Sequence, residues 1–187
     1  MKLIGTMLIV ACSALLTGCG YKTVADASYP EQKIYIAVAA QGGVYNVSTR
    51  PAHSSNTPTQ GSTYQYLIEG ENFIVPLAVY RSGIDNAGDV RVSVSFDDSI
   101  VDALVSSGEL SGVTPLPENS RSVESSVVIP DGRESVSFFI RMPLSTVRDA
   151  ADGTRLACGV RIASEDREVN EEYGKIAVVI DHGIFEE

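Results

Sequence analysis

The chain has 187 residues, with 14 basic and 24 acidic side chains and a formal net charge of −10. That balance argues against a nucleic-acid partner, whose phosphates must be neutralised by Lys and Arg, and against a polybasic face for anionic lipid. The length suits one domain with a sizeable core, and three cysteines at wide spacing exclude a disulfide-stapled scaffold or a zinc site.

Lys2 supplies a short positive start and Leu3 to Leu16 an apolar run, which Leu15-Leu16-Thr17-Gly18-Cys19 closes with small residues abutting a cysteine. This is the layout of a secretory signal peptide over residues 1–18. Its end resembles a bacterial lipobox, which implies that the Cys19 thiol is acylated and becomes the first mature residue. The apolar run is shorter than the roughly 20 residues a membrane span needs. Removing residues 1–18 leaves 13 basic against 24 acidic side chains, a formal charge of −11. Attachment to the membrane is then expected through the lipid on Cys19, at about 0.8 kcal/mol per buried methylene. Cys12 leaves with the signal. Cys158 then stands alone, and its neighbours Leu156, Ala157 and Val160 mark it as inert strand core. Residues 19–32 read as a tether. Lipoproteins that reach the cell exterior in some bacteria carry acidic residues just after the cysteine. Gly20-Tyr21-Lys22-Thr23 has none, so the expected place is the outer membrane, facing the periplasm.

From residue 33 to 187 the pattern is one of strands. Lys33 to Ala39 and Val44 to Ser48 flank Gln41-Gly42-Gly43, a tight-turn composition. Arg50 to Ser62 is rich in Ser, Thr, Pro, Asn and Gly and reads as a long exposed loop, a place to look for contacts. Thr63 to Glu69 alternates, with Tyr64, Tyr66 and Ile68 on one face. Asn72 to Arg81 is more continuously apolar, and its Pro76 predicts an edge or a bulge. Asp89 to Phe96 alternates, with Val90, Val92, Val94 and Phe96 inward. Asp98 reads as the N-cap of a short helix that carries Ile100, Val101 and Leu104. Val123 to Ile129 and Glu134 to Met142 are joined by Pro130-Asp131-Gly132-Arg133, a hairpin signal. Arg155 to Ala163 and Lys175 to Asp181 complete the set. The expected fold is all-β: an immunoglobulin-like sandwich of about 7–9 strands with one short helix.

Few residues carry chemistry. Asp97 and Asp98 are adjacent, so an extended strand would point them to opposite faces, unlike the facing carboxyls a glycosidase needs. Glu165, Asp166 and Glu168 read as a solvated turn. Asp85, Asn86 and Asp89 fall in one loop and are the candidate metal ligands, with hard oxygen donors suited to calcium. His53 and His182 are the only histidines, and no spacing draws them to a serine. Tyr45, Tyr64 and Tyr66 are the candidate ligand-binding residues, since exposed aromatic faces pack against sugar rings. Core packing explains the Tyr64–Tyr66 pair equally well. No catalytic residue and no cofactor is predicted.

The segments Leu116-Pro117-Glu118-Asn119 and Val128-Ile129-Pro130-Asp131-Gly132 carry a resemblance. With Val75-Pro76-Leu77, Arg81-Ser82-Gly83, Asp97-Asp98 and Val169-Asn170, the chain from Lys33 to Asp181 resembles the N-terminal sandwich domain of Bacteroidetes lipoproteins. That domain is of unknown function and often precedes carbohydrate-binding or glycoside-hydrolase modules. Two places depart from its pattern. A tyrosine is usual shortly after the Leu-Pro segment, where this chain has Ser120 and Arg121, and Leu-Pro is usual in the penultimate strand, where it has Cys158-Gly159. Since the chain stops just past the sandwich, no downstream enzymatic activity is carried over. The resemblance implies a lipid-anchored, non-enzymatic accessory in glycan capture, with polysaccharide as partner. The alternative is a structural lipoprotein that pairs with another envelope protein through a sheet edge or loop face.

Overall fold

The computed structural model describes residues 31–47, 65–83 and 85–185. Among them lie eleven strands and two short helices. In chain order these are β1 (Lys33–Ile36), β2 (Val44–Val47), β3 (Leu67–Glu69), β4 (Asn72–Arg81), β5 (Val90–Phe96), α1 (Ser99–Ser107) and β6 (Thr114–Pro115). There follow β7 (Ser126–Ile129), β8 (Ser135–Pro143), α2 (Leu144–Arg148), β9 (Arg155–Ala163), β10 (Glu168–Val169) and β11 (Lys175–Asp181). The strands β4, β9 and β11 begin and end where the apolar patterning places them. The second helix and the two-residue strands β6 and β10 exceed the expected count, because so short a pairing has no periodicity to read.

Two mixed sheets pack face to face. In sheet A, β8 covers one edge of β4 over Asn72–Tyr80. The other edge is shared by β3 at Asn72–Ile74 and β1 at Val79–Arg81, and β10 adds a parallel pairing beyond β1. Sheet B runs β2-β11-β9-β5-β7, with β6 also on β9. The pairs β2–β11 and β6–β9 are parallel. Inward side chains such as Phe73, Phe138, Ile140, Val92 and Val178 are fully buried between the sheets, each contributing about 1.5–3 kcal/mol through lost contact with water.

Three local expectations are corrected by this topology. Pro76 sits in the middle of the central strand β4, neither at an edge nor in a bulge. Its partner across the ladder is Phe139, whose N–H points away from β4 to the Glu124 carboxylate at 2.8 Å. The Pro76 nitrogen therefore faces the opposite edge, in the gap between β3 and β1, where no strand requires a donor. Second, the Pro130–Arg133 turn forms, with Arg133 N–H donating to Pro130 O at 3.0 Å. It joins strands of different sheets, however, since β7 pairs with β5 and β8 with β4. Third, β1 and β2 also part into different sheets around Gly42. A tight turn dictates a reversal of the chain, and long-range pairing dictates which sheet receives each arm.

Helix α1 lies on the outside of sheet B, where Ile100 and Val101 cluster with Ala157, Ala177 and Val179. Asp98 holds the N-cap position without capping by its side chain, and Gly108 closes the helix in the left-handed conformation. The edge of β9 that β5 and β6 share is left unpaired at Cys158 and Gly159. Asp97 fills that break: its N–H donates to Gly159 O at 2.9 Å. The approach is so close that a Cβ on Gly159 would stand 1.9 Å from Asp97 O. We expect Gly159→Ala to cost about 3 kcal/mol or more through this clash of side chain with backbone, read as a lowered denaturant midpoint with an unchanged slope.

Candidate functional site

Arg81 is buried as a whole residue, at 3 % exposure. Its guanidinium closes the end of the sandwich. Nε donates to Arg133 O at 2.6 Å and Nη2 to Pro130 O at 2.7 Å. Nη1 donates to Ala87 O at 3.2 Å and Gly88 O at 2.9 Å. The two loops it grips also brace each other. Asp131 Oδ1 accepts from Gly88 N at 2.6 Å, Asp89 Oδ1 from Asp131 N at 2.8 Å, and Gly132 N donates to Asn86 O at 2.8 Å.

This geometry bears on Asp85, Asn86 and Asp89. Asp85 Oδ1 accepts from Ala87 N at 2.9 Å, so two of the three candidate metal ligands already serve backbone N–H groups. The carbonyls of the loop point at a guanidinium, a cation covalently part of the chain. Among the described residues no group of three or more His, Cys, Asp or Glu side chains is arranged to hold a metal ion.

The Asp97–Asp98 pair forms a second clamp. Arg121 grips Asp98 with both arms, Nη1 to Oδ1 at 2.8 Å and Nη2 to Oδ2 at 2.6 Å. Its own side chain is 4 % exposed and lies over the Phe96 ring at 4.5 Å. Gly159 N–H also donates to Asp98 Oδ1 at 3.3 Å. The Arg121 hydrogen bonds lower the Asp98 carboxyl below its ordinary value, and the Ser99 hydroxyl together with Arg161 does the same for Asp97. A general acid needs the opposite shift. Arg121, which stands where the resembling family has its tyrosine region, is thus the anchor of this crossing. Cys158 lies fully buried beside it, and burial pushes its thiol up to about 12, as an inert core cysteine requires.

The tyrosines divide by face. Tyr66 is 4 % exposed and stacks on Phe73 at 4.9 Å between ring centres, so it belongs to the core and not to a binding surface. Tyr45 is half-buried against the same core, and burial raises its hydroxyl above the ordinary value. Tyr64, Cys19, His53 and the Arg50–Ser62 loop lie outside the described residues. Tyr35 and Tyr80, which the sequence reading passed over, face each other across β1 and β4 with ring centres 6.1 Å apart and a tilt of 32°. Both are half-buried, yet neither packs into an apolar cluster. They stand on the outer face of sheet A. The signal was present: Ile34 and Ile36 point inward, so alternation turns Tyr35 outward. Of the acidic turn, Asp166 accepts from Arg91 N at 2.7 Å and Glu168 pairs with Lys33 at 2.6 Å. His182 Nε2 lies 3.1 Å from Arg148 O, at the sandwich end.

Fold and clamps together define a mixed β-sandwich whose acidic motifs hold loops in place. Residues 29–169 match a family described as an N-terminal domain, well over half of the chain, and the chain belongs to that family. The match spans the Leu-Pro-Glu-Asn and Val-Ile-Pro-Asp-Gly segments, and the fold is that of Bacteroides multidomain proteins. No curated protein matches the chain significantly. Solved structures share the fold. A candidate carbohydrate-binding protein from Bacteroides ovatus superposes with a TM-score of 0.56 at 12 % identity, covering 79 % of this chain and 36 % of its own. A protein of unknown function from the same organism gives 0.51 at 14 % identity, covering 81 % and 45 %. A multidomain protein, again from Bacteroides ovatus, that includes a domain of unknown function gives 0.50 at 14 %, covering 74 % and 40 %. This chain thus spans less than half the length of each.

Both clamps are open to substitution tests. Arg81→Met should cost about 3–4 kcal/mol, since four carbonyls lose their donor in a buried site, and millimolar calcium should leave the wild-type melting midpoint unmoved. Asp98→Asn should cost about 2–3 kcal/mol by leaving Arg121 buried without its anion. The folded Asp98 carboxyl binds its proton less tightly than the unfolded one, so its contribution is complete above about pH 4. It is lost as pH falls through the lowered value, and stability of Asp98→Asn should therefore fall less steeply than wild type in acid urea titrations.

Proposed function

We propose that this chain is a lipid-anchored, non-enzymatic module of the cell envelope that captures glycans. The observation that carries the reading is the Tyr35–Tyr80 pair, two rings set side by side on the outer face of sheet A and outside the apolar clusters. Tyrosine presents an apolar ring with a polar tip, which suits a surface that must take a sugar face and stay wet. Membership of a family of N-terminal domains, and a fold shared with a candidate carbohydrate-binding protein, support the same class of ligand. The neighbouring of β4 with β1 and β8, and of β9 with β11 and β5, supports an immunoglobulin-like reading of the sandwich.

Attachment is assigned to acylated Cys19 at the outer membrane, on the periplasmic side. The lipobox-like segment supports this. Affinity gels cast with a panel of neutral and acidic polysaccharides should retard the protein in at least one. Tyr35→Ala/Tyr80→Ala should weaken that retention about tenfold, at a stability cost of about 1 kcal/mol. Retention unaffected by the double variant would move the site elsewhere, and no retention anywhere would defeat the reading. Cys19→Ala should leave the precursor unprocessed and missing from the lipid-modified membrane fraction.

A further inference from the structure

Helix α1 covers only part of sheet B. The open part of that outer face is built from Arg91, Ser93 and Ser95 of β5, Arg161 and Ala163 of β9, and Lys175 of β11, all exposed. Within the strands no carboxylate stands on this strip, and Asp97, just past β5, is the acid that reaches it, in a chain with a net charge of −10. Arg161 stands in register with both Ser95 and Lys175, so two cations oppose each other across one ladder, an unfavourable pairing in isolation. Asp97 takes up Arg161, through Nε and Nη2 at 2.7 Å each. The side chains of Lys175 and Arg91 have no hydrogen-bonding or ionic partner among the described residues.

Two shallow hollows of about 380 and 340 Å³ flank the strip and meet at Ala163 and Ser164. Their rim carries Glu165, Asp166 and Glu171. The Asp166 carboxylate is held by the Arg91 backbone N–H, and Ser164 Oγ donates to Arg91 O at 2.6 Å, so this rim is fixed to β5. Arg91 and Ser95 are four residues apart on β5, about 13 Å, and Arg161 and Lys175 lie one and two strands across from Ser95, so the cationic ends stand about 14–16 Å apart. Charges so spaced, with a floor of hydroxyls and a methyl between them, fit a polymer carrying repeated anions better than a single small anion.

We propose that this strip binds an acidic polysaccharide, with carboxylates of sugar units about three apart along the polymer over Arg91 and over Lys175 with Arg161. The acidic remainder of the surface repels a polyanion and steers it to this strip. The choice of a sugar polymer rests on the glycan reading above, and the strip lies on the sheet opposite Tyr35 and Tyr80.

The test measures affinity of the full chain for polygalacturonate and for neutral mannan, beside the Arg91→Ala/Lys175→Ala variant. Polygalacturonate should bind and loosen with added salt, and the double variant should bind about tenfold more weakly with an unchanged melting midpoint. Arg91→Lys/Lys175→Arg should restore binding. Polygalacturonate affinity equal in wild type and the alanine variant overturns the strip, as does capture of phosphatidylglycerol vesicles in place of the polymer. If mannan alone binds, the strip falls while the glycan reading stands; if no polysaccharide binds, both fall.

Discussion

The buried guanidinium of Arg81 sets the end of this sandwich. Arg81 leaves the last position of the central strand and points along the core, where an ion without partners would cost several kcal/mol. Four backbone carbonyls from two loops meet it, and none of them belongs to a regular ladder. Each side solves the other's problem: the loops obtain donors for carbonyls that burial would otherwise orphan, and the charge obtains dipoles. The turn at Pro130–Arg133 is thereby bound to the core end of the fold, which lets its two arms diverge into different sheets.

The second constraint is the break on β9. Where β5 departs and β6 has not yet begun, Asp97 and Asp98 occupy the gap, one through its backbone and both through their side chains. Gly159 makes room for the crossing, and Arg121 neutralises it from the far side. Adjacent aspartates invite a catalytic interpretation. Here they are ion-paired anions with lowered pKa values, and the residues around them are ones that a packing role demands.

These two clamps coincide with the segments that carry the family resemblance. Arg81, Pro130-Asp131-Gly132 and Asp97-Asp98 are each at a clamp, so the family pattern in this chain marks how the loops are tied down.

Much of the fold was legible without coordinates. Alternation in Asp89–Phe96 and the apolar runs at Asn72–Arg81, Arg155–Ala163 and Lys175–Asp181 set the strands, because burial of one face imposes a period of two. Alternation also turns Tyr35 outward, though Tyr80, 45 residues away, comes to face it only through the β1–β4 register. Tyr66 shows the limit from the other direction, since alternation grouped it with Ile68 but could not say which group faces the core. Taken alone, the order of residues determined a two-sheet β body and the strands that compose it. Tertiary structure alone decided the sheet each strand joins, the side chain that fills the carbonyl cage, and the aromatic and cationic groups left facing solvent. Those outcomes depend on contacts between residues tens of positions apart, whose free energy no local pattern encodes.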